Sequence, residues 1–258
     1  MFQLNAPPLD LTMEDCQLFL DGQKVRHQVR LLAEMAPVLQ EENALRDMDK
    51  GSPAYFMYDN AYPESQQGGL RYDLTTIPSG SLGREYWKTM GHYHALLPRG
   101  VAYPEIYQVL FGEAIFLLQH RSVDDGVDEA LALRAKKGDH LWIPPAWGHL
   151  SINPGASPLV LCDLISPLCH ADYSVYIEKR GGIFRILQDG TFELNPHYGQ
   201  EVQLDICDAA EADAIDRLTK SSPLSQDMVD FLLSGEHILS RYLQEPDLFR
   251  PLTEAAAE

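Results

Sequence analysis

Two histidines stand two residues apart, His92 and His94, in the stretch TMGHYHALLPRGVAYPEIYQVLFG that runs from Thr89 to Gly112. In an extended strand, residues i and i+2 point to the same face, so both imidazoles can reach one metal ion from one side of a sheet. Glu105, in the next strand-like run, offers a carboxylate as a third ligand. His149 offers another imidazole from GDHLWIPPAWGHLSIN. Three imidazoles and one carboxylate suit a borderline divalent ion such as Fe, Mn, Ni, Co or Zn. Four protein ligands would leave places in an octahedral shell for water or substrate. An isolated HxH pair reads equally well as two core or surface histidines. The later glutamate and histidine, each in a strand-like context, are what single out metal chemistry.

The elements that must position these residues read as short strands. Candidates are Ala54–Tyr58, Leu70–Ile77 and Glu85–Tyr93, the last delivering the HxH pair. Glu105–Leu110 and Ala114–Gln119 read as a hairpin through Phe111-Gly112-Glu113. Ala130–Ala135, His140–Ile143, His149–Ile152 and Pro158–Ile165 follow. Ile183–Leu187 and Thr191–Leu194 predict a last hairpin around the turn dipeptide Asp189-Gly190. Many short strands between Gly/Pro turns argue for a closed or sandwich-like β architecture. Residues 1–24 read as an arm with a short strand or turn at Phe19-Leu20-Asp21-Gly22. Apolar residues from Val25 to Met48 recur at three- and four-residue spacing and predict one or two amphipathic helices broken near Pro37. From about Ala209 the chain reads as helical, with Ser225 as an N-cap in SQDMVDFLLSGEHILSRYLQ. The predicted organisation is an N-terminal arm with helices over 1–50, a β domain over 51–200 and a helical extension over 201–258.

The net charge of -18 over 258 residues argues against a nucleic-acid or membrane-surface binder, which needs a basic patch. An anionic small substrate is compatible if cations and backbone amides gather locally. Cys16, Cys162, Cys169 and Cys207 form no CxxC pair. The first residues are acidic and interrupted by Pro7-Pro8, unlike a leader peptide. No apolar run approaches about 18 residues. These features predict a soluble, reduced, cytoplasmic protein. No Walker or Rossmann glycine pattern is present.

The two histidine-bearing stretches resemble the paired motifs of the cupin superfamily. The first motif falls on His92, His94, Glu105 and Gly112, and the second on Gly138, Pro144, His149 and Asn153. Ala146 stands where the family has a glycine, which predicts an altered turn, and the spacer between His94 and Glu105 is longer than usual. Within cupins, KTMGHYH, PEIYQVLFGEAIFLLQ, IPPAWGH and ADYSVYIEKRG are similar to the archaeal-type, cupin glucose-6-phosphate isomerases, over roughly Arg26 to Leu194.

That resemblance implies a mainly β double-stranded β-helix, a cupin or jelly-roll barrel acting as a homodimer, to which the spacing adds N-terminal and C-terminal helices. It implies one divalent metal ion per chain, Fe(II) first with Mn, Ni or Zn as alternatives, on His92, His94, Glu105 and His149. It implies a phosphosugar substrate, with phosphate contacts from Thr75, Thr89, the Gly91 backbone and Tyr173, and the Tyr107 hydroxyl facing the sugar. The implied reaction interconverts glucose 6-phosphate and fructose 6-phosphate by moving hydrogen between C1 and C2, either as a proton through an enediol or as a hydride while a metal polarises the carbonyl. Glu105 is the candidate base for a proton route, with Tyr107 beside it and His170 as the candidate group that opens the sugar ring. Two positions depart from the family. Phe56 replaces a tyrosine, flanked by Tyr55 and Tyr58, and the histidine of His170-Ala171-Asp172-Tyr173 comes one residue early. Another cupin enzyme, such as a dioxygenase or a different sugar isomerase or epimerase, and a non-catalytic sugar-phosphate binder are the competing readings.

Overall fold

Strand alternation organises the molecule. Along Pro53–Tyr58, Tyr55 joins the inner core while Phe56 and Tyr58 join an outer one. Successive residues of a strand face opposite sides, so this strand must be covered on both. The same holds for Leu159–Ile165, whose seven residues are all buried. The structure, a computed structural model, describes residues 2–6, 9–41, 43–62, 69–98, 100–122, 126–209 and 243–245.

Two six-stranded sheets carry the core. The first runs, in spatial order, His140–Ile143, Glu105–Phe111, Leu159–Ile165, Arg71–Ile77, Pro53–Tyr58 and Gln28–Leu31. The second runs Leu204–Asp208, Val127–Lys136, Glu113–Arg121, Trp147–Asn153, Glu85–Lys88 and Ser81–Leu82. Tyr107, Val109 and Leu161 from the first sheet pack in one cluster with Phe116, Leu118 and Leu150 from the second. The sheets therefore face each other and enclose an apolar interior.

From Glu105 to Ile165 the chain crosses repeatedly between the two sheets. The expected hairpin through Gly112 does not form: Glu105–Phe111 pairs with His140–Ile143 and Leu159–Ile165, whereas Glu113–Arg121 pairs with Val127–Lys136 and Trp147–Asn153. Gly112 instead turns the chain from one sheet to the other at φ +86, where an added Cβ would lie 2.7 Å from the Pro158 carbonyl oxygen. The turn at Gly138 makes the same crossing in the other direction. This alternation is the double-stranded β-helix. The expected hairpin at Asp189-Gly190 does form, pairing Phe184–Ile186 with Phe192–Leu194.

The N-terminal expectations are corrected. Residues 1–24 are not an arm: Phe2–Ala6, Leu9–Glu14, Gln17–Leu20 and Gln23–Lys24 form a four-stranded antiparallel meander. Its Leu4, Leu11, Met13 and Leu18 cover the outer face of the first sheet, against Phe56, Tyr58 and Tyr72. The Tyr58 hydroxyl fastens it, accepting from the Leu18 amide at 2.9 Å and donating to the Cys16 carbonyl at 3.3 Å. The helices expected over Val25–Met48 shrink to one turn, Leu32–Met35, and a 3₁₀ turn, Ala36–Val38. Gln28–Leu31 is an edge strand paired with residues 53–57, which satisfies its backbone better than a short helix ending at Pro37. The apolar spacing still had meaning, because Leu32, Met35, Val38, Leu39 and Leu45 are all buried in the inner core.

The segment expected to be helical from 201 begins with a strand, Leu204–Asp208, parallel to residues 130–134. The helices expected beyond it fall on residues 210–242, outside the described residues. Leu243 is buried in the outer core. Among the described residues no helix is long and apolar enough to cross a membrane.

Candidate metal centre and its pocket

The HxH segment is held by pairing on both sides rather than by one continuous strand. The expected strand Glu85–Tyr93 is interrupted: Glu85–Lys88 ends, Gly91 takes φ +81, and pairing resumes afterwards. His92 exchanges two backbone hydrogen bonds with His149, at 3.0 and 2.9 Å. Tyr93–His94 then pairs with Ala171–Asp172. Glu105 enters from the start of its strand on the opposite sheet.

These elements bring His92, His94, Glu105 and His149 together, with one ligand atom from each within 4.8 Å of the others. Glu105 Oε2 lies 3.2 Å from both His94 Nε2 and His149 Nε2. Those contacts are close enough for ion pairing but not aligned as hydrogen bonds, and His94 Nε2 and Glu105 Oε2 are buried without a hydrogen-bond partner. His94 Nδ1 is 2.6 Å from the Tyr103 carbonyl oxygen. A carbonyl only accepts, so Nδ1 carries the hydrogen and the Nε2 lone pair turns towards the cluster. Buried lone pairs aimed at one point, with the outer nitrogen of His94 fixed by a carbonyl, fit a divalent cation.

Charge balance in the cluster points the same way. Burial pushes the Glu105 carboxyl up, but His149 and His94 outweigh it and hold the group well below the usual carboxylate range. His92 is pushed down by burial and then by His149 and His94. Burial also lowers His149, against the pull of Glu105. On His94 burial opposes charge, yet contacts with Cys169 and Glu105 carry its pKa up to about 10. Metal binding and protonation compete for the same lone pairs, so an ion here would take the place of that proton.

A pocket opens beside the cluster. His92 and His149 line it together with Thr75, Thr89, Gly91, Tyr107 and Tyr173. Thr89 Oγ1 accepts from the Ser151 amide at 3.0 Å. The Tyr107 hydroxyl lies 3.4 Å from His149 Nε2. Burial, followed by the charges of Glu105 and Asp163, pushes that phenol well above its ordinary pKa, so it keeps its proton. His94 and Glu105 are buried behind the lining. His170 is exposed, its carbonyl accepting from Ala95 N at 2.8 Å, and it is not among the lining residues.

Two departures from the motif pattern resolve locally. Phe56 faces the outer core, and its neighbour Tyr55 lines the pocket instead, as strand alternation requires. Ala146 keeps the left-handed turn that a glycine would favour, at φ 68, so the expected change of turn geometry does not occur. Tyr55, Ser151 and Asp163 were missed in the sequence. Asp163 stands opposite Tyr107 on one side and Asp73 on the other. Burial, then Glu105, pushes its carboxyl well above the usual range. The available signal was an acid in the middle of the otherwise apolar run LVLCDLI.

A barrel of two facing sheets, with three histidines and a glutamate converging inside it, defines a cupin-type fold around a candidate metal centre. The particular family follows from sequence. The chain belongs to the glucose-6-phosphate isomerase (GPI) family, whose model matches residues 29–203. The glucose-6-phosphate isomerase of Thermococcus litoralis is 29% identical over 158 residues, covering 61% of this chain and 78% of that one. That of Pyrococcus furiosus is 27% identical over 173 residues, covering 66% and 87%. Among solved structures, Bacillus subtilis oxalate decarboxylase matches at a TM-score of 0.30 and 19% identity, over 43% of this chain and 25% of that one.

Proposed function

We propose that this chain is a metal-dependent aldose–ketose isomerase that interconverts glucose 6-phosphate and fructose 6-phosphate. The observation that carries the reading is the convergence of four ligand atoms within 4.8 Å beside a pocket whose walls present Thr75, Thr89, Gly91 and Tyr173. Membership of the family supports the substrate and reaction.

His92, His94, Glu105 and His149 would hold one divalent ion, Fe(II) first and Mn, Ni or Zn as alternatives. Such an ion supplies Lewis acidity towards the sugar's carbonyl oxygen. The protein's own groups divide the remaining work. Thr75 and Thr89 hydroxyls, the Gly91 amide and the Tyr173 phenol receive the phosphate. Tyr107, protonated and beside His149, offers its hydroxyl to the sugar. For the proton route Glu105, held ionised, is the proposed base that takes a proton from one carbon and returns it to the next, which requires that it hold the ion loosely or shift when substrate arrives. His170, at the surface, has no place in this arrangement. The proposal includes a cytoplasmic homodimer, in line with the family it resembles.

The test is isomerase activity on fructose 6-phosphate by protein stripped with chelator and reloaded separately with Fe(II), Mn(II), Ni(II) and Zn(II). Activity lost on stripping and restored by metal is the expected result. No turnover with any ion, while elemental analysis finds the ion bound, would overturn the proposal.

A further inference from the structure

A phosphate monoester carries nearly two negative charges at neutral pH. Among the described residues, the pocket lining contains no lysine or arginine. The pocket also lies against the carboxylate of Glu105. Lys88 and Lys179 are engaged elsewhere: buried Lys88 bonds the Val38 carbonyl and Glu85, and Lys179 pairs with Glu178 at 3.1 Å.

Resting on the phosphosugar reading, we propose that Arg30 is the fixed cation of this pocket, binding the phosphoryl end of the substrate and holding Tyr55 and Tyr173 against it. Arg30 lies on the edge strand Gln28–Leu31 directly opposite Tyr55, and residues opposite each other in a ladder share a face. Its side chain therefore turns inward, leaving 17% exposed. Nε donates to the Tyr55 hydroxyl at 3.3 Å, and Cζ sits 5.1 Å from the centre of the Tyr173 ring. Both tyrosines line the pocket.

The guanidinium is held from behind. Its Nη1 meets Glu34 Oε1 at 3.0 Å, while Glu34 Oε2 accepts the Leu31 amide at 2.7 Å at the start of the short helix. Tyr55 and Glu34 engage two of the five N–H groups of the fork. An arginine fork matches phosphate bidentately, which a lysine cannot do. Its charge is felt inside the pocket, where it counters the upward push of burial on both Tyr55 and Tyr173 and adds to the downward push on His92. An inward charge on an edge strand also discourages strand pairing between molecules. That role alone would leave anion affinity untouched.

The experiment measures binding of inorganic phosphate by calorimetry, to stripped and metal-loaded protein, alongside KM and kcat for fructose 6-phosphate. Arg30→Gln is expected to weaken phosphate binding and raise KM by roughly 10- to 100-fold, the range of a charge-assisted hydrogen bond, with kcat much less changed. Arg30→Lys keeps the charge but not the fork, and about a fivefold loss is expected. Phosphate affinity within twofold of the unaltered chain in folded Arg30→Gln would overturn the proposal. So would failure of the unaltered chain to bind phosphate. If Arg30→Gln does not fold, unchanged phosphate affinity in Arg30→Lys overturns it. If Arg30→Gln loses phosphate binding while the unaltered, metal-loaded chain does not turn over fructose 6-phosphate, Arg30 stands as the anion-binding residue and the isomerase reading falls.

Discussion

Replacing Gly91 with alanine tests whether close approach sets the shape of the site. Gly91 has φ +81, a conformation that costs an L-residue about 1–2 kcal/mol. The new Cβ would lie 2.5 Å from two ring carbons of Tyr176 and 3.2 Å from Leu150 Cβ. Tyr176 is fully buried, so its ring has nowhere to swing, and overpacking of this kind costs about 1–3 kcal/mol. The sum is about 2–5 kcal/mol, less about 0.4–1 kcal/mol from the stiffer unfolded chain, against a total domain stability on the order of 5–15 kcal/mol. Gly138 provides the control, with φ +94 and no atom within 4 Å of an added Cβ. Gly138→Ala carries only the backbone term, about 1–2 kcal/mol, less about 0.4–1 kcal/mol from the stiffer unfolded chain. Urea unfolding of stripped protein, with unchanged m-values, measures both. Tyr176 shares the helix Ser174–Glu178 that follows Tyr173, so a displaced ring should also raise KM more than it lowers kcat. Equal losses for the two variants, within about 0.5 kcal/mol, would refute the packing argument, because only Gly91 has a neighbour to collide with.

Other outcomes follow from the same geometry. Ala146→Gly should gain about 0.5–1 kcal/mol in thermal unfolding, since relief of the left-handed alanine at φ 68 exceeds the extra entropy of an unfolded glycine. Stripped protein should be most stable near neutral pH. The lowered pKa values of His92 and His149 give stability that is present above the ordinary histidine value and lost as pH falls below it. The raised His94 gives stability that is present below that value and lost as pH rises towards about 10. Metal loading requires all three imidazoles neutral and should remove the alkaline decline, measurable as Tm against pH with and without metal. Glu105→Ala or His149→Ala should abolish stoichiometric metal by elemental analysis. His170→Ala should leave metal content intact and kcat/KM within about threefold, as for a surface position outside the pocket.

Particular residues mark where the sequence was legible. The candidate ligands were readable because their chemistry is carried by residue type, and because their elements announce themselves locally by alternation and by Gly/Pro turns. Thr75, Thr89, Gly91, Tyr107 and Tyr173 line one pocket. The failures are those of pairing. Glu105–Phe111 and Glu113–Arg121 are adjacent in sequence, joined by a glycine turn, and look like a hairpin. Local pattern cannot tell a turn that reverses a strand within a sheet from one that carries it across to the next. Most of the N-terminal meander, beyond the short strand or turn expected at Phe19-Leu20-Asp21-Gly22, and the edge strand Gln28–Leu31 were missed for the same reason. Their apolar residues find a face only when the first sheet is already in place to be covered.

The sequence by itself determined the donor set, the mainly β character of the barrel region and the family. Each depends on residue identity and short-range spacing. Tertiary structure alone decided which strands are neighbours, that Tyr55 rather than Phe56 faces the pocket, that Arg30 lies against Tyr55 and Tyr173, and that Asp163 stands opposite Tyr107. Register and pairing are settled by burial between segments far apart in the chain, where slipping by one residue would exchange the inside for the outside.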